Sequence, residues 1–154
     1  MKIHQIIASC FGIGYLKGGG TIAAMAICVL WYFAFLHTNS YLPLLATLCT
    51  LLVGIWSGNV VDAVWGKDSS KVVIDEVAGM CIALLFVPIS VVNVLIALFL
   101  FRFFDIVKPL YIRKLEALPK GWGVMMDDVV AGLYANVLIN VFVYQHSIAT
   151  WLHL

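Results

Sequence analysis

The sequence predicts an all-α fold, an integral membrane helical bundle with about three full spans plus a helical hairpin (77–87 and 91–107). Three observations carry that prediction. The chain is 64% hydrophobic with only 11% charged residues, and its mean hydropathy of +1.06 lies outside the range of disordered chains and ordinary soluble domains. Its apolar runs are continuous rather than alternating, which disfavours a transmembrane β-barrel. Its few carboxylates gather at Asp75-Glu76, at Asp105 and at Asp127-Asp128, with Asp62 and Asp68 near the first cluster. At 154 residues the chain is expected to form a single domain, 1–154.

Met1-Lys2-Ile3-His4 leads into a glycine-rich segment rather than a compact apolar region with a cleavage site, so no cleaved signal peptide is expected. Thr21 to Leu36 is the first apolar stretch and ends in the turn His37-Thr38-Asn39-Ser40. Tyr41 to Trp56 is the second and closes at Ser57-Gly58-Asn59. Both sit near the lower end of the ~17–25 residues that span a bilayer. Residues 59–77 read as a polar loop, Ala78 to Phe101 as an apolar stretch broken at Pro88-Ile89-Ser90 and Asn93, and Val129 to Tyr144 as the last helix. Cys10, Cys28, Cys49 and Cys81 have no CxxC spacing and read as small buried apolar groups. The four histidines form no ligand pattern and read as interfacial.

Charge orients these pieces. The 37–40 turn has no lysine or arginine and is expected outside. The 59–77 loop has lysines, and 102–127 has Arg102, Lys108, Arg113, Lys114 and Lys120, so both are expected inside. One straight helix over 78–101 would put 102–127 on the wrong side and separate Glu76 from Arg102 by about 36–39 Å. A hairpin turning near Pro88 removes both conflicts and brings the acidic clusters to the cytoplasmic side.

Carboxylates beside apolar runs are costly unless paired, hydrated or bound to a cation, and their hard oxygens suit magnesium or manganese. Helix capping accounts for one carboxylate at each helix start. It does not account for two, nor for Gly79 and Gly132 a turn later, where a missing side chain lets a second helix approach. Arg102, Asp105 and Lys108 recur at i, i+3, i+6 on one stripe that Pro109 ends, a carboxylate ligand between two phosphate-binding cations or a surface ion-pair ladder. Gly12 to Thr21 precedes the first helix, where backbone N–H groups bind anions, but it is neither a dinucleotide fingerprint nor a P-loop. No DxDxT nucleophile, GxSxG elbow or arginine–histidine arrangement is visible, so phosphoryl chemistry here would run on metal-activated water. No basic stretch marks a nucleic-acid partner. A small ion or solute transporter and a non-catalytic scaffold remain alternatives for the same acidic residues. Oligomeric state is open, because glycine faces serve contacts within and between chains alike.

Four motifs in order make the chain resemble the phosphatidylglycerophosphatase A family of bacterial lipid phosphatases. They are the glycine-rich stretch ending at Gly20-Thr21, Val73-Ile74-Asp75-Glu76 through Gly79, Phe101-Arg102 through Asp105 to Lys108-Pro109, and Gly121 through Asp127-Asp128 to Gly132. The chain departs from the family pattern where Gly18-Gly19 replace Ala-Pro and where Ser69 replaces a proline. The resemblance implies magnesium-dependent conversion of phosphatidylglycerophosphate to phosphatidylglycerol at the inner face of the bacterial cytoplasmic membrane. On this reading Asp75, Glu76, Asp105, Asp127 and Asp128 are expected to form the metal and catalytic set, one of them serving as general base. Arg102 and Lys108, with Lys17 and Thr21, would bind the phosphate, and Asp62 and Asp68 would support from outside.

Overall fold

The computed structural model describes residues 3–38, 41–66, 69–109, 112–115, 118–119 and 121–151, with side chains to 145 in the last segment. Among these residues all regular structure is helical: α1 (Ile3–Ala8), a 3-10 turn (Ile13–Tyr15), α2 (Gly19–Phe35), α3 (Leu42–Trp65), α4 (Ile74–Leu84), α5 (Val91–Val107), α6 (Ile112–Leu115) and α7 (Gly121–Trp151). Of the predicted full spans, α3 and α7 are long and apolar enough to cross a membrane. Only 28% and 33% of their apolar windows are buried inside the protein, unlike the core helix of a soluble fold. The 17-residue α2 is apolar but shorter.

The apolar stretch 78–101 is two helices, as the charge argument requires. α4 ends at Leu84 and α5 starts at Val91. Ser90 caps α5 by accepting from the Asn93 N–H at 3.1 Å, and Asn93 Nδ2 donates to the Pro88 carbonyl at 2.8 Å. The carbonyls freed at the end of α4 find their donor on α7: Asn136 Nδ2 donates to Leu85 O at 2.6 Å and to Ala83 O at 3.2 Å. Irregular backbone in an apolar setting needs such partners.

α4 and α7 form the most extensive helix pair. They run parallel in a constant register, with Asp75 beside Asp128, Gly79 beside Gly132 and Ala83 beside Asn136, an offset of 53 residues throughout. A Cβ on Gly132 would collide with the Gly79 carbonyl, and one on Gly79 would lie 2.6 Å from the Asp128 carbonyl and from the Phe101 ring. Both glycines are needed for this approach. Phe101, Met80 and Ile139 are fully buried around the crossing with Trp31 of α2. A second apolar cluster of Ala8, Ile55, Val61, Ile74 and Met125 joins α1, α3, α4 and α7.

Several helix boundaries differ from the sequence reading, among them the first hairpin helix, which runs Ile74–Leu84 rather than 77–87. α3 does not close at Ser57-Gly58-Asn59 but continues to Trp65. The Ser57 hydroxyl donates within the helix to Gly54 O at 3.2 Å, Gly58 abuts Gly121, and Asn59 Oδ1 accepts from the Gly121 N–H at 3.1 Å. These residues fasten α3 to α7 rather than stopping it. α7 begins at Gly121 rather than Val129, and α4 at Ile74, so neither Asp127 nor Asp75 is a cap. Among the cysteines, all free, Cys28 and Cys81 are buried as expected, whereas Cys10 is half-buried and Cys49 exposed. His4 packs edge-on against Trp56, with ring centroids 4.4 Å apart.

Candidate active site

Several helix ends meet at one end of the bundle. α2 and α4 begin there, α5 finishes there, and α7 passes through at Asp127-Asp128, near the end of its second turn, so charged groups collect where two helix N-termini point. The space between them is a cavity of 610 Å³. Asp75, Glu76, Asp105, Asp127, Asp128, Arg102, Lys108, Lys17 and Thr21 all line it. Asp62 does not; it sits in the last turn of α3, with Oδ1 buried and without a hydrogen-bond partner among the described residues. Asp68 and its neighbour Lys67 lie outside the described residues. Lys71, Ser69 and Ser70 also line the cavity and were not singled out from the sequence.

Each side chain arrives by a local structural reason. Asp75 and Glu76 occupy the first turn of α4, whose N-cap residue Val73 offers no side-chain cap. Gly20 lets α2 come close enough to touch Glu76, since a Cβ at that position would overlap its carboxylate. Asp128 is brought to Asp75 by the glycine crossing a turn above. Arg102 and Asp105 on α5 form an ion pair, and Arg102 Nη1 stands 4.0 Å from Glu76 Oε1. Lys108 ends α5 in the left-handed conformation, φ +47°, uncommon for a residue with a side chain. That turn brings Lys108 Nζ to Asp127 Oδ2 at 2.6 Å. The other Asp127 oxygen accepts from the Asp128 N–H at 3.1 Å.

One oxygen from each of Asp75, Glu76 and Asp128 lies within 4.8 Å of the others. Asp75 and Asp128 are buried, yet Asp75 Oδ1 and Glu76 Oε2 have no hydrogen-bond partner among the described residues. Buried, unpartnered carboxylate oxygens are costly, and a hard divalent cation is the group whose chemistry fits them. At the start of α4, outside the two long apolar helices, burial pushes the Asp75 carboxyl well above the usual carboxylate range. The Glu76, Asp128 and Asp127 carboxylates push it the same way. Glu76 is raised too, chiefly by burial, with Arg102 among the groups pulling it back.

The apolar helical bundle thus gathers five carboxylates and four basic side chains, Lys17, Lys71, Arg102 and Lys108, around one polar cavity. The chain belongs to the phosphatidylglycerophosphatase A family, whose model matches residues 6–143, and it is a phosphatase. A Haemophilus influenzae protein named phosphatidylglycerophosphatase A is 34% identical over 146 residues, covering 92% of this chain and 89% of the relative. A Bacteroides thetaiotaomicron protein provisionally named phosphatidylinositol-3-phosphatase is 43% identical over 148 residues, covering 88% of this chain and 91% of the relative. No solved structure matches the chain significantly.

Proposed function

We propose that the protein, as one domain over 1–154, hydrolyses phosphatidylglycerophosphate to phosphatidylglycerol and phosphate with magnesium, at the cytoplasmic face of a bacterial inner membrane. The observation that carries the reading is the meeting of five carboxylates with Arg102 and Lys108 in one cavity. Lys17, Lys71, Arg102 and Lys108 all lie at that end, and basic residues mark the cytoplasmic side of membrane helices.

Asp75, Glu76 and Asp128 would hold the cation, with Asp105 and Asp127 beside them. A bound magnesium ion supplies charge neutralisation at the phosphoryl group and makes water more acidic. Lys108, fixed by Asp127, and Arg102, fixed by Asp105, bind non-bridging phosphoryl oxygens through charge-assisted hydrogen bonds. Lys17, Thr21 and the first N–H groups of α2, which have no side-chain cap, add donors from the opposite wall. A carboxylate of the set takes a proton from the attacking water. The P–O bond to the headgroup then breaks, and the departing glycerol oxygen takes up a proton.

The name of the more similar relative supports a second substrate reading, phosphatidylinositol 3-phosphate, which is also a phosphomonoester on a lipid headgroup. Phosphate release by detergent-purified protein from each lipid, with magnesium and with EDTA, tests both. The expected result is release from phosphatidylglycerophosphate that EDTA abolishes. Faster release from phosphatidylinositol 3-phosphate would transfer the assignment to that lipid, and release that survives EDTA would contradict the cation site.

A further inference from the structure

Lys71 stands in a polar loop, where a lysine ordinarily reads as solvated. Its side chain is exposed yet lines the acidic cavity, and its Nζ lies 5.8 Å from the ring centroids of both Tyr15 and Trp65. Those rings meet edge-on at 6.0 Å. The backbone beneath is fixed as well. The Lys71 carbonyl abuts Gly14 so closely that a Cβ there would collide with it, and two residues on the Val73 N–H donates to Ala8 O at 2.9 Å. Arg102 and Lys108 are engaged by carboxylates deeper in the cavity, whereas Lys71 makes no ion pair among the described residues. Aromatic faces hold an ammonium in place without using up its hydrogen-bond donors on an anion.

A phosphatidyl lipid with a terminal phosphate carries two anionic groups, the reacting monoester and the diester that joins headgroup to diacylglycerol. We propose that Lys71 is a specificity-determining residue: braced over Tyr15 and Trp65 at the rim of the cavity, its ammonium binds the non-reacting phosphodiester while the monoester enters between Arg102 and Lys108. This rests on the lipid-phosphatase reading above.

The test uses the full-length protein in detergent with Lys71→Met, which keeps the aliphatic stem over the rings, and Lys71→Arg, which restores the charge. Phosphatidylglycerophosphate is the substrate. Phosphatidylglycerol, which carries only the diester, and inorganic phosphate, which resembles only the monoester, are the inhibitors. Lys71→Met is expected to raise KM and weaken phosphatidylglycerol inhibition about tenfold, the size of one charge-assisted hydrogen bond at a partly exposed site. The turnover number and inhibition by inorganic phosphate should stay within about twofold, and Lys71→Arg should recover most of the loss. Wild-type turnover with an unchanged KM in Lys71→Met overturns the role of Lys71 and leaves the phosphatase reading standing. An equal loss of inorganic phosphate inhibition, or a fall in turnover number alone, overturns it by placing Lys71 at the reacting group. No release by the wild type from either lipid phosphate overturns both readings.

Discussion

Asp75 is buried against Glu76 and Asp128 with an oxygen that has no partner among the described residues, so its ionised form is disfavoured in the fold. An acid whose folded pKa is raised leaves stability intact below its ordinary value of 3.8, and that stability is lost as pH climbs toward the folded value. A cation that binds the ionised carboxylate must therefore displace a proton, and its affinity should rise with pH. Calorimetric titration of magnesium at about pH 6 and about pH 8 should show tighter binding at the higher pH and, at the lower pH, weaker binding accompanied by the larger proton release. Affinity independent of pH would contradict the assignment of Asp75 as a ligand. The acidic residues were legible in the sequence because a carboxylate beside an apolar run has few bland explanations. Lys71 was not, because its contact with Tyr15, far away in sequence, and the pairing of that ring with Trp65 exist only in the fold.

The crossing of α4 and α7 sets the spacing of Asp75 and Asp128. Gly79→Ala should force the helices apart at the Asp128 carbonyl and Phe101, destabilising the protein by about 1–3 kcal/mol, as overpacking of a tight contact does. It should also weaken cation binding, though Gly79 touches no cation; thermal unfolding in detergent and the same calorimetric titration check the two effects. The apolar runs made the helices and the hairpin legible from hydropathy and charge. Their ends were not, because Ser57, Asn59 and Asp127 look like helix breakers in a polar solvent scale. Ser57 and Asn59 are satisfied inside the helix or across the α3–α7 contact, and Asp127 is satisfied by Lys108, so each helix runs past them.

Across the whole molecule, the glycines that left oligomeric state open in the sequence are used within the chain: Gly58 meets Gly121, Gly54 meets Met125, and Gly79 meets Gly132. Exposed apolar side chains such as Phe33, Leu52, Phe99 and Phe142 cover the helix flanks, while the charged side chains that line the cavity collect at one end. That division is what a lipid headgroup enzyme needs, with an apolar body matched to acyl chains and a polar cavity at the level of the phosphate. The most direct measurement of this account is a magnesium titration of phosphate release from phosphatidylglycerophosphate by wild type and Asp128→Asn, both verified as folded in detergent. The wild type should saturate with magnesium, and Asp128→Asn should lose about a hundredfold or more of the activity, because a ligand counts for at least as much as the groups that orient ligands. Near-normal, magnesium-saturable release by Asp128→Asn would contradict the account and move the cation away from the junction of α4 and α7.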